Sequence, residues 1–117
     1  MDSLRVKDEV VLALEDIKAR DIEVLDVRKL TSICDYMVIA SADSTRQTKA
    51  LARNVEDRLS MLGVPIQGLE GLSGGEWILV DAGSVIVHIM QPAIREYYNL
   101  SELWGGVATQ PRRAANG

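Results

Sequence analysis

The 117-residue chain has no phenylalanine, one cysteine and one histidine. A lone Cys34 excludes an internal disulfide and any zinc site built from several cysteines, and it fits a reducing compartment. No His-x-x-x-His or Cys-x-x-Cys spacing occurs, so no metal constellation is written in the sequence. No apolar run reaches the ~20 residues that a membrane helix needs. The N-terminal Met-Asp-Ser, followed by mixed charge, does not resemble a signal peptide. The expected location is the cytoplasm. Positive excess is also missing: net charge is −4, whereas a protein that binds mainly phosphate backbone is usually basic. Sequence-specific nucleic-acid binding is therefore not expected, while docking on a basic protein is permitted. There are no internal repeats.

The remaining composition, 47% hydrophobic and 26% charged, is that of one globular domain able to bury its own core. The most informative stretch is 75–98. Two apolar runs, Trp77–Asp81 and Val85–Ile89, flank Ala82-Gly83-Ser84 and read as a β-hairpin. Alternation puts Trp77, Leu79 and Asp81 on one face and Ile78 and Val80 on the other. On the return strand Val85, Val87 and Ile89 oppose Ile86 and His88. Both faces are largely apolar, so either both are covered within the chain or one awaits a partner. Pro92 then suits the first turn of a helix, Pro92–Tyr98, tipped by two tyrosines.

Upstream, a Ser3-capped helix is expected at Leu4–Arg20, with Val6, Val10, Ala13, Leu14 and Ile17 on one stripe. A strand Ile22–Val27 and a second, Tyr36–Ser41, follow. The second is apolar on both faces and so central, and the short link makes the two antiparallel neighbours. Ser44 and Gln47 have capping-box spacing for a helix Ser44–Leu62 ended by Gly63, with Leu51, Val55, Leu59 and Leu62 inward. Arg46, Lys49 and Arg53 line its outer face, as a solvated face or as a contact to an acidic partner or RNA phosphate. Pro65–Glu70 reads as a third strand and Leu100–Trp104 as a last short turn or helix. The expected fold is α/β: a mixed five-stranded sheet with two main helices and a short C-terminal helix. The domain is expected over 1–106, with 107–117 as a flexible tail.

No motif carries catalysis. Cys34 is a poor thiolate beside Asp35, and His88, inside a strand, reads as structural. Ser41-Ala42-Asp43-Ser44 stands at a helix N-terminus but lacks phosphate-wrapping glycines and a following lysine. It supports an alternative, a small nucleotide-binding or nucleotidyl-transfer enzyme, although no Asp-x-Asp pair lies on a strand. Four aromatics, Trp77, Tyr97, Tyr98 and Trp104, crowd one region, either closing the core or anchoring a partner.

An ordered set of stretches resembles the ribosomal silencing factor (Iojap-like) family. These are Val24–Val27, Cys34–Ser41, Arg46-Gln47, Val64-Pro65, Glu70-Gly71, Trp77–Asp81, Val85–Ile89, Arg95–Leu100 and Leu103–Gly105. Met90, where the family often has Phe or Tyr, is a mild departure. The resemblance implies a nucleotidyltransferase-like fold without catalytic carboxylates, hence no enzyme and no cofactor. It implies binding to the large ribosomal subunit through ribosomal protein L-fourteen, steric blocking of small-subunit joining, repression of translation in starvation or stationary phase, and self-association as a homodimer. With the aromatic cluster, it points to Trp77, Leu79, Asp81, Arg95, Tyr97 and Tyr98 as protein-binding residues, Asp81 toward a basic group and Arg95 as a carboxylate clamp.

Overall fold

The structure, a computed structural model, describes residues 1–104. The C-terminal tail expected over 107–117 lies outside the described residues.

Asp2, rather than the expected Ser3, caps the first helix: its carboxylate accepts the Arg5 N–H at 2.8 Å. Helix α1 spans Ser3–Asp16. Its stripe of Val6, Val10, Ala13 and Leu14 is buried, and Val11 joins it from the side, while Leu4 and Leu12 stay exposed. The expected extension to Arg20 does not form. Lys18 takes a left-handed φ of 60°, and the chain turns directly into strand β1, Arg20–Asp26. A lysine in that conformation gives no glycine signal in the sequence.

Strand β2, Tyr36–Ser41, is buried along its whole length. It pairs antiparallel with β1, as the short link between them suggests, and lies inside the sheet, as its two apolar faces suggest. Helix α2 covers Thr45–Met61. Ser44 Oγ accepts the Gln47 N–H at 3.1 Å, but the Gln47 side chain donates to the Ile17 carbonyl at 3.3 Å instead of turning back. Half of the capping box is thus replaced by a tie between the helices. Leu51, Ala52, Val55 and Leu59 are buried, whereas Leu62 sits exposed at the helix end, just before Gly63 at φ 77°. The third strand is shorter than expected. β3 is Gly68–Glu70, because Pro65 has no N–H to donate, while Val64 and Ile66 pack against the core. β4, Trp77–Asp81, and β5, Val85–Met90, form the hairpin. α3, Pro92–Tyr98, and a single-turn α4, Leu100–Leu103, meet at Asn99, whose φ is 44°.

The sheet order is β1-β2-β5-β4-β3, mixed, with β2 and β5 parallel at its centre. Both long helices lie on one face. There Val10, Leu14, Ile22, Val24, Val38, Leu51, Leu59, Ile78, Val80, Val85, Val87 and Ile89 form the main core. The other face has a smaller cluster, Leu25, Val27, Cys34, Met37 and Ile39, with Leu100 and Trp104 packed against it.

Candidate functional site

Strand register writes the second face as rows of neighbours. Trp77 opposes Met90, which opposes Ser41; Leu79 opposes His88, which opposes Ile39 and then Glu23; Asp81 opposes Ile86, then Met37, then Leu25. The strap 92–104 crosses the β1–β2–β5 part of this face, where Leu100 and Trp104 close the small cluster. Leu79 and Asp81, toward the β3 edge, remain half-exposed.

The aromatics form a chain from the sheet to the surface. The Trp77 indole N–H donates to His88 Nδ1 at 3.0 Å, a diagonal cross-strand contact. The Trp77 ring lies 4.8 Å from Tyr98, and Tyr98 lies 5.0 Å edge-on from Tyr97. Tyr97 is 81% exposed and Tyr98 50%. Burial lowers the His88 pKa from 6.5 to about 4, so the ring is neutral near pH 7 and its Nδ1 is free to accept from Trp77. Burial, followed by Asp35 and Asp81, pushes the Cys34 thiol up, against any thiolate role.

Of the six residues expected at the surface, Trp77, Tyr97 and Tyr98 come together, and Leu79 and Asp81 continue the same strand face. One Asp81 oxygen accepts the Gly83 N–H at 2.8 Å and so closes the hairpin turn. Arg95 is placed differently from the other five. Its guanidinium donates to the Asp21 carbonyl at 2.6 Å, to Ser41 Oγ at 2.9 Å and to Glu23 at 3.2 Å. Its clamp therefore closes on a carboxylate of its own chain. Ser101 also hydrogen-bonds Glu23. Neither α3 nor α4 buries a residue fully, so this latch and the Trp77–Tyr98 contact join the packing of Leu100 and Trp104 in holding Tyr97 and Tyr98 in place. Sequence reading missed Glu23 and Ser101 in this role, and it offered Ser41 only as part of the nucleotide-binding alternative. The signal available was Glu23 on the same strand face as Leu25, a carboxylate among apolar positions that needs a partner when buried. A hollow of about 340 Å³ lies under the strap, lined by Ser41, Met90, Arg95 and Asn99 among others.

The residues of the nucleotide-binding alternative have partners. Ser44 caps α2, Asp43 pairs with Arg20 at 2.5 Å, and Ser41 is buried against Arg95. Among the described residues no group of three or more His, Cys, Asp or Glu is arranged to hold a metal ion.

Comparison with known proteins adds three relationships. The sequence model described as "ribosomal silencing factor during starvation" matches residues 1–116. The ribosomal silencing factor RsfS of Chromobacterium violaceum is 51% identical over 106 residues, covering 91% of this chain and 87% of that one. A crystal structure of a Chromobacterium violaceum protein superposes with a TM-score of 0.89 at 48% identity, covering 100% of this chain and 95% of the other. A more distant relative, mouse "mitochondrial assembly of ribosomal large subunit protein 1", is 36% identical over 100 residues, covering 83% of this chain and 44% of its own length.

Proposed function

The chain belongs to the ribosomal silencing factor family, and from that premise we propose that it silences by occlusion. In this reading it binds the large ribosomal subunit through ribosomal protein L-fourteen, and its bulk keeps the small subunit from joining. Translation falls as a result in starvation or stationary phase. Such a mechanism needs affinity and volume, not chemistry. The cytoplasm is the place of action, and a homodimer is the free form.

The observation that carries this reading is the aromatic chain Trp77–Tyr98–Tyr97 beside half-exposed Leu79 and Asp81, at the part of the sheet that the strap leaves open. Aromatic side chains with polar tips anchor interfaces at low entropic cost, and a few such residues carry most of the binding energy. Asp81 has a second carboxylate oxygen to offer a basic group. Arg95 acts indirectly, by holding α3 where the tyrosines meet Trp77. The name of the mouse relative associates that protein with the large subunit, which supports the choice of subunit.

The test is a reassociation assay. Purified small and large subunits are mixed with the protein and resolved on a sucrose gradient. The expected result is fewer joined particles, with the protein travelling with the large subunit. Trp77→Ala and Tyr97→Ala should each weaken large-subunit binding by about 2 kcal/mol, roughly 30-fold. Tyr97 is the cleaner probe, because its exposure leaves the fold untouched. If both variants melt and bind like the wild type, this surface is not the contact. If the wild-type protein stays at the top of the gradient and joining is unchanged, occlusion is wrong.

A further inference from the structure

Helix α2 carries Arg46, Lys49 and Arg53 at i, i+3 and i+7, which places them on one stripe. Arg46 and Arg53 are exposed and Lys49 is half-buried. Among the described residues, no ion pair joins any of the three to a carboxylate. Of the other described cations, Arg5, Lys7, Arg20, Arg28, Arg58 and Arg95 are each paired, and only the isolated Lys18 and Lys29 are not; three unpaired cations share one element only on α2. At its N-terminal end the helix does not favour this arrangement. Its first turn has no acid, and Arg46 stands near the positive end of the helix dipole, where a cation is unfavourable.

The stripe also adjoins the aromatic surface. A Cβ placed on Gly75 would lie 3.4 Å from Lys49 Cε, and the Thr48 hydroxyl donates to the Gly75 carbonyl at 2.6 Å. Gly75 precedes Trp77 by two residues. The cations therefore begin around the same end of β4 where the aromatic chain starts. Exposed Glu76 lies between the two, and Glu56 and Asp57 bound the stripe farther along the helix.

We infer that Arg46, Lys49 and Arg53 contact backbone phosphates of ribosomal RNA bordering the protein site, a second arm of the docking surface that rests on the ribosomal reading above. Successive cations rise roughly 4.5 and 6 Å along the helix axis. Such a row of cations, with exposed Met61 following only about two turns beyond Arg53, suits a repeating polyanion. A folded acidic protein surface would be met with apolar core contacts as well. Phosphate contacts position a protein without reading sequence. Against a net charge of −4 for the whole chain, a local cationic stripe orients the protein on the subunit.

The experiment measures binding of the full chain to purified large subunits across a potassium chloride series. The triple variant Arg46→Gln, Lys49→Gln, Arg53→Gln is measured alongside it. Each lost phosphate contact removes roughly 0.7 to 0.9 from the slope of log affinity against log salt, so the triple variant should be flatter by about 2 to 3. Should the triple variant not fold, Arg46→Gln and Arg53→Gln singly should each flatten the slope by about 0.7. A benzophenone attached at Lys49→Cys, with Cys34 shielded by burial, should label RNA. An unchanged slope overturns the contact and leaves occlusion standing. Labelling of protein alone overturns it in favour of an acidic ribosomal protein. A wild-type chain that does not bind large subunits overturns the occlusion reading and this contact with it.

Discussion

One face of the sheet is closed by α1 and α2 over the large core, and its side chains are buried almost without exception. The other is crossed by α3 and α4, neither of which buries a residue fully; a guanidinium, two serine hydroxyls and a carboxylate hold them, together with the partial packing of Leu100, Trp104 and Tyr98. Complete apolar burial makes the first face a source of stability that tolerates little change. Discrete polar bonds make the second face an assembly whose parts can be removed one at a time. Loss of fold and loss of binding should therefore separate by face.

The largest effect belongs to the closed face. Leu51→Ala should cost about 3 kcal/mol of unfolding free energy, seen as a lower urea midpoint, while the molecules that remain folded bind subunits normally. A loss below about 1 kcal/mol would mean that the two faces do not differ in packing.

Nearly as large is the pH dependence of the second face. His88 has a native pKa of about 4 against 6.5 when unperturbed. Above pH 6.5 both folded and unfolded forms are neutral there and the group contributes nothing. As pH falls from 6.5 toward 4, the unfolded chain takes up the proton first, and stability drops by up to about 3 kcal/mol. Protonation also ends the acceptor role of Nδ1 toward Trp77. Asp26, held at about 2 by the Arg28 guanidinium, weakens the fold only as pH drops below 3.8. Glu9, lowered chiefly by its bond to Arg58, does so only below 4.5. The slope between pH 4.5 and 6.5 is thus the histidine's, and denaturant titrations of His88→Gln should be flat there. A slope that survives the substitution would assign it elsewhere.

Arg95→Ala should cost about 2 kcal/mol, since hydrogen bonds to charged groups are worth about 1.5–3 kcal/mol each when a partner is left behind. Its sharper signature is local. Amide exchange should speed up across 92–104 while β2 and β5 keep their protection. Arg95→Lys should not rescue it, because an ammonium cannot reproduce the forked contacts to Asp21, Ser41 and Glu23. Unchanged exchange would leave the strap held by Tyr98 and Trp104 alone. Smallest is Ser44→Ala, about 1 kcal/mol from the lost cap of α2, with subunit binding unaltered. A binding loss there would reopen the Ser41–Ser44 segment as a ligand site.

Much of the fold was legible in the sequence. The hairpin, the two-faced β2, the Gly63 stop and the Pro92 start follow from alternation, turn chemistry and φ constraints, all local. Apart from β3, whose late start follows from Pro65, the departures share a cause: a non-local or unmarked event. Lys18 turns the chain without a glycine, and Gln47 prefers the Ile17 carbonyl to the reciprocal cap. At the site, alternation placed Trp77, Leu79 and Asp81 on one strand face. It was silent on Arg95, because the partners of that residue lie on β1, β2 and α4.

The sequence by itself determined the order and kind of the strands and helices, which side chains share a face, and the family. Family membership needs only an ordered set of residue types. Only the tertiary structure decided the order β1-β2-β5-β4-β3, the placing of both long helices on one face, and the latch that seats the tyrosines. The physical reason is range. Side-chain direction along a strand or helix is fixed by the backbone of a few residues. Pairing β2 with β5, or Arg95 with Glu23, brings together segments far apart in the chain, and the burial they jointly achieve selects the arrangement.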